Sequence, residues 1–61
     1  MSIRDRGEEI INVGDIFQFE INNEVKIGKL VYSSVLDMVY VIADNQFVSL
    51  YVLNYDTLLK L

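Results

Sequence analysis

The sequence predicts a small all-β domain, and three observations predict it. Apolar and polar residues alternate with a period of two over several short runs. Those runs are separated by Asn, Asp, Gly and Ser pairs suited to tight turns. No proline interrupts any of them.

The elements follow in order. Residues 1–9 carry Arg4, Asp5, Arg6, Glu8 and Glu9 together with Gly7, and read as a flexible charged tail. Residues 10–61 then form the single β domain. Ile10 to Asp15 is an approach segment that ends in a bend, with Gly14 supplying positive φ. Ile16–Ile21 is a half-buried strand, with Phe17, Phe19 and Ile21 on one face and Gln18 and Glu20 on the other. Asn22, Asn23 and Glu24 make the hairpin turn. Val25–Tyr32 is the second strand, in which Val25 and Ile27 share one face and Leu30 and Tyr32 the other. Gly28 is read as a phase slip, a bulge or sharp bend.

Ser33 to Asp37 is a loop. Met38–Ala43 and Gln46–Leu53 are the third and fourth strands, apolar on both faces and joined by Asp44-Asn45. Asn54 to Thr57 is a turn capped by Asn54 or Asp56. Leu58–Leu61 closes as a fifth strand, with a short helix over residues 55–61 as the competing reading.

Composition bounds the chemistry. The 61 residues contain no cysteine and no histidine. Disulfides, thiolate metal sites and thiol nucleophiles are therefore excluded, and zinc, copper and haem lose their commonest ligand. No cofactor and no metal is expected. Ser33-Ser34 near Lys29 is the one arrangement resembling a nucleophile with a base, and an ordinary loop serine pair accounts for it. Catalysis is not expected. The net charge is −4 with only five basic residues, which disfavours nucleic acid and anionic membranes as partners. No signal peptide or membrane span is visible, and a cytoplasmic location is expected.

Five short strands, a long second strand bent near Gly28-Lys29-Leu30-Val31, an opening Val13-Gly14-Asp15 and a closing Asn54–Leu61 resemble an SH3-like barrel of the Tudor or KOW kind. The fold class is thus a five-stranded SH3-like small barrel or a strongly bent antiparallel sheet, with a short 3₁₀ turn or helix near the C-terminus. The resemblance implies binding of RNA, ribosomal surfaces, methylated side chains or proteins. The chain departs from that pattern by lacking tryptophan and a basic surface.

The strongest functional signal is the stretch from Met38 to Tyr55, in which Asp44 is the only charge. Two adjacent strands apolar on both faces need a cover on the face that is not core. The candidate dimer or partner face is Val39, Val41, Val48, Leu50 and Val52 with Tyr40 and Tyr51. A homodimer is the expected cover, and the N-terminal Ile10, Ile11 and Val13 folding over that face is the alternative. Tyr32, Tyr40, Tyr51 and Tyr55 fit packing in a core or dimer, a protein interface, or an aromatic cage. Glu20, Glu24, Asp37 and Asp44 form a candidate acidic partner surface. The expected function is a non-catalytic protein-binding module. It is read as a homodimeric accessory or inhibitor of phage or mobile-element type, which counters a host enzyme or defence system by occluding an unidentified protein. The alternative is an SH3-like module associated with nucleic acid or the ribosome, using Lys26, Lys29 and Lys60.

Overall fold

Two Asn- and Asp-rich turns set the register of the sheet. In the computed structural model, which describes residues 3–61, Asn22 and Asn23 both have positive φ, at 52° and 63°. They join β3 (Ile16–Ile21) to β4 (Glu24–Ser33). Asp44 and Asn45, at 53° and 59°, join β5 (Met38–Ala43) to β6 (Gln46–Val48) in the same way. Paired left-handed residues match the twist of the flanking strands, so both hairpins close tightly. Glu24 belongs to the strand rather than the turn, paired with Ile21.

The chain is mostly β. A five-stranded antiparallel sheet runs in the order β6-β5-β4-β3-β7, where β7 is Leu59–Lys60. A separate two-stranded sheet pairs β1 (Ile3–Arg4) with β2 (Ile10–Ile11). The pairing leaves β6 and β7 as the two edges, so the hydrogen-bonded sheet is open among the described residues.

β4 carries the sheet around its bend. Its first half pairs with β3 and its second half with β5, and Lys29 opposes both Ile16 and Ile42. The pairing runs through Gly28 without an inserted residue, which corrects the expectation of a phase slip there. Through the middle of β4 the even-numbered positions face inward and the odd ones outward, with Gly28 and Leu30 buried and Ile27 and Lys29 exposed. Val25 and Ile27 are therefore apolar residues on the solvent face, each at least half exposed. Gly28 is needed for a different reason. A Cβ at this position would lie 2.7 Å from Val41 Cγ1 and 2.9 Å from Phe19 Cε1. The missing side chain is the space that those two occupy.

The core forms on the inner face from Phe17, Phe19, Leu30, Val41 and Ala43. Ile3, Ile11, Leu53 and Leu58 complete it from outside the central strands. The Phe17 and Phe19 rings lie 5.7 Å apart at 44°, a tilted contact favoured by their quadrupoles.

Two expectations change at the ends of the chain. The fourth strand, expected to run to Leu53, stops at Val48. The Ser49 side chain accepts a hydrogen bond from the Tyr51 amide, and Leu50–Val52 becomes a 3₁₀ turn. A side-chain acceptor competes with the ladder for that amide, and the turn leads into Leu53, which is buried. A second 3₁₀ turn, Tyr55–Thr57, is capped by the Asn54 side chain on the Asp56 amide. After it, β7 pairs with β3 through Phe17–Lys60 and Gln18–Leu59, so the closing strand forms and the helix does not.

The described part of the expected tail, residues 3–9, is ordered into the fold. Ile3 is buried and Asp5 is only 7% exposed. Asp5 Oδ1 accepts from the Gly7 and Glu9 amides at 2.9 and 2.8 Å, and Oδ2 accepts from the Lys60 amide at 3.0 Å. The Arg6 amide donates to the Leu58 carbonyl at 2.9 Å. A carboxylate receiving three backbone donors is a folded element, however charged its neighbours are. The Lys60 amide, with those of Glu9 and Gly7, holds the Asp5 carboxyl below its ordinary value, against the opposing effect of burial.

Candidate binding surface

Antiparallel sheets that cover a core on one side normally show a polar face to water. The outer face of this sheet does not. Register places Ile16, Lys29, Ile42 and Phe47 side by side across four strands. The next row towards the Asn22-Asn23 turn holds Gln18 and Ile27, and the row beyond it Glu20 and Val25. On the opposite side lies the Val31–Tyr40 pair, followed by Ser33–Met38. Phe47 is 55% exposed and Ile27 50%. The Tyr40 and Phe47 rings stack at 5.0 Å and 39°, which makes a firm aromatic ledge at the β5–β6 edge.

The residues expected to form one partner face do not lie together. Val41 is wholly buried, and Val39, Val48 and Leu50 are half-buried against the core. Tyr40 stands on the outer face. Val52 and Tyr51 project from the first 3₁₀ turn, with Tyr51 99% exposed. Met38, Val39, Ser49, Leu50, Tyr51 and Tyr55 line a groove beside that turn. Of the expected N-terminal cover, Ile11 is fully buried while Ile10 and Val13 stay largely exposed. Sequence reasoning does not single out Ile16, Ile27, Ile42 and Phe47 as a face. The signal for them is present in the odd-numbered apolar positions of β4, which a slip assumed at Gly28 obscures.

The tyrosines are dispersed. Tyr32 donates to Asp37 Oδ1 at 2.7 Å, a bond that raises the pKa of its phenol. Tyr55 donates to the Leu50 carbonyl at 3.1 Å. Tyr40 lies on Phe47.

The charges are largely self-satisfied. Lys26 bonds Asp44 at 2.8 Å and lies 3.6 Å from Glu24. The Asp44 contact is the main cause of its raised pKa. Lys60 lies 3.5 Å from Asp15 and donates to the Ile10 carbonyl at 3.3 Å. The Asp15 carboxyl is held low chiefly by the Asn12 amide. Of Lys26, Lys29 and Lys60, only Lys29 lacks an ion pair among the described residues, so the three do not converge on a common anion. Of Glu20, Glu24, Asp37 and Asp44, only Glu20 has neither an ion pair nor a side-chain hydrogen bond among them. The Ser33 hydroxyl accepts from the Leu36 amide at 3.1 Å and so serves its turn. Among the described residues no three Asp or Glu side chains cluster as a metal site, and no helix is long and apolar enough to cross a membrane.

Comparison with known proteins finds no matching family model, no matching curated protein and no matching solved structure.

Proposed function

We propose that this chain is a non-catalytic protein-binding module whose working surface is the outer face of its sheet. The observation that carries this reading is the uncovered row Ile16–Lys29–Ile42–Phe47, with Tyr40 stacked on Phe47. A face rich in exposed apolar side chains, broken by few polar ones and carrying an aromatic anchor, has the composition of a protein interface. The ion pairs of Lys26 and Lys60 with neighbouring carboxylates favour this reading over the nucleic-acid one. The strand order, the long shared β4 and the 3₁₀ turn before β7 support an SH3-like ancestry for the scaffold. The module acts by covering a surface of its partner, as an accessory or inhibitor does.

The test is a photo-crosslinking amino acid, p-benzoylphenylalanine, placed at position 47 and, as control, at the exposed polar position 12. The expected result is an adduct of defined mass from position 47 in the producing cell and none from position 12. Equal, diffuse labelling from both positions refutes the reading.

A further inference from the structure

We infer that residues 3–11 are a strap that opens from the sheet as one unit while the sheet stays folded, with the Asp5 carboxylate as its catch. β1 and β2 pair with each other and join no strand of the main sheet. Among the described residues three hydrogen bonds tie the strap to the rest of the chain. The Arg6 amide donates to the Leu58 carbonyl at 2.9 Å, the Lys60 amide to Asp5 Oδ2 at 3.0 Å, and the Lys60 ammonium to the Ile10 carbonyl at 3.3 Å. The remaining bonds of the strap are internal. The Asp5 amide donates to the Glu9 carbonyl and the Glu8 amide to the Asp5 carbonyl, while Asp5 Oδ1 accepts from the Gly7 and Glu9 amides. An isolated two-stranded hairpin is marginal in water, so these internal bonds are lost once the seam parts. The strap therefore has the make-up of a cooperative unit of local opening.

The hinge is the turn over residues 12–15. The Asp15 amide closes it on the Asn12 carbonyl at 3.0 Å, and the Gly14 amide is pinned to the Leu30 carbonyl at 2.7 Å. The sheet side of the hinge is thus fixed, and the motion falls between Ile11 and Gly14. Ile3 and Ile11 leave the core with the strap, whereas its other seven buried residues all lie at Phe17 or beyond. β7 stays on β3 through the Phe17–Lys60 and Gln18–Leu59 pairs. The sheet thus keeps its ladder and most of its core when the strap is away.

Asp5 spans the seam. Oδ1 bonds the strap's own loop and Oδ2 bonds the sheet, so one carboxylate joins the two bodies. On opening, the carboxylate and the Lys60 amide both return to water, and no charge is left buried without a partner. Opening bares the Leu58 carbonyl and the Lys60 amide, which form the outer edge of β7. An uncovered edge strand invites pairing by another chain. The strap is a removable guard of that edge.

The experiment is native-state hydrogen exchange of the full chain, read by NMR under conditions where exchange reports the opening equilibrium. The Arg6, Gly7 and Glu9 amides are expected to share one protection factor, at least about ten-fold below that of the β4–β5 ladder. Two variants separate strap opening from unfolding of the whole chain. Val41 packs against Phe19 and the space above Gly28, within the part that stays folded. Val41→Ala therefore lowers protection of the ladder by about ten-fold and leaves that of the strap within about two-fold. Asp5→Asn lowers protection of the Arg6 amide by about ten-fold, although that amide bonds Leu58 and not the Asp5 side chain. Equal protection of strap and ladder in the wild type overturns the inference, because the strap then opens only when the whole chain unfolds. A Val41→Ala chain in which both fall together overturns it in the same way. An Arg6 amide indifferent to Asp5→Asn removes Asp5 as the catch and with it the cooperative unit.

Discussion

Gly28→Ala tests the packing argument most directly. The backbone at Gly28 has no positive φ, so alanine meets no conformational penalty there. Two effects favour the substitution. The unfolded chain loses entropy, worth about 0.4–1 kcal/mol, and one more methyl group is buried, worth about 0.8 kcal/mol. Against them stands the new Cβ, which meets Val41 Cγ1 at 2.7 Å and Phe19 Cε1 at 2.9 Å. Val41 and Phe19 are fully buried and lie in the centre of the core, so neither withdraws into solvent. Overpacking of this kind costs about 1–3 kcal/mol, and backbone shifts at a residue flanked by both β3 and β5 place it towards the upper end. The net expectation is destabilisation by about 1 kcal/mol, and a fall in Tm of about 4–8 °C for a domain this small. Thermal and urea unfolding followed by circular dichroism measure it. Val41→Ala vacates part of the colliding space, so the double variant is less destabilised than the sum of the singles, by about 1 kcal/mol. A Gly28→Ala chain as stable as wild type, with additive behaviour in the double, refutes the close-packing account.

Asp5→Asn replaces an acceptor of three amides by a group that donates at one of its two positions, so urea midpoints fall at neutral pH. The Asp5 carboxyl is held below its ordinary 3.8, so its contribution is complete above that value and is lost as the pH falls through the lower, folded-state value. The midpoints of the wild type and the Asp5→Asn variant therefore converge under strong acid, and curves that stay parallel from neutral pH into that range contradict the assignment. Asn54→Ala removes the acceptor for the Asp56 amide and lowers stability by about 1 kcal/mol in denaturant unfolding. Phe47→Lys, on the outer face, changes stability by no more than about 0.5 kcal/mol in the same unfolding assay. Leu58→Ala, at a wholly buried position, costs about 2–5 kcal/mol in the same unfolding assay.

What is legible in the sequence is local. Alternation in Ile16–Ile21 identifies the inward Phe17 and Phe19, and the asparagine and aspartate pairs mark both hairpins. These features depend on neighbours a few residues away. What is not legible depends on distant residues. A run of five charges in nine residues looks like solvated chain until Asp5 is seen to receive the amide of Lys60. The fourth strand looks continuous because nothing in its apolar pattern shows that the Ser49 hydroxyl captures the Tyr51 amide. The candidate face is mixed for a related reason. In β5, Val39-Tyr40-Val41-Ile42 offers apolar residues to both sides, and hydrophobicity alone does not choose between them. The tertiary contact of Val41 with the space above Gly28 decides it.

The hydrogen bond between Asp5 and the Lys60 amide spans 55 residues of chain. A growing polypeptide that has emerged as far as residue 53 already contains β3 to β6 and most of its core, but the carboxylate of Asp5 still lacks its third donor. Contacts close in sequence form fastest, so the meander is expected to assemble before the long-range Asp5–Lys60 contact. Docking of the N-terminal hairpin on the sheet and closure of β7 are coupled, since Asp5 accepts the Lys60 amide and the Arg6 amide donates to Leu58. Translation order and stability order are then opposite for residues 3–11: they are made first and secured last. Until residue 60 arrives, Ile3 and Ile11 remain the exposed apolar surface by which the nascent chain is most vulnerable to misassembly.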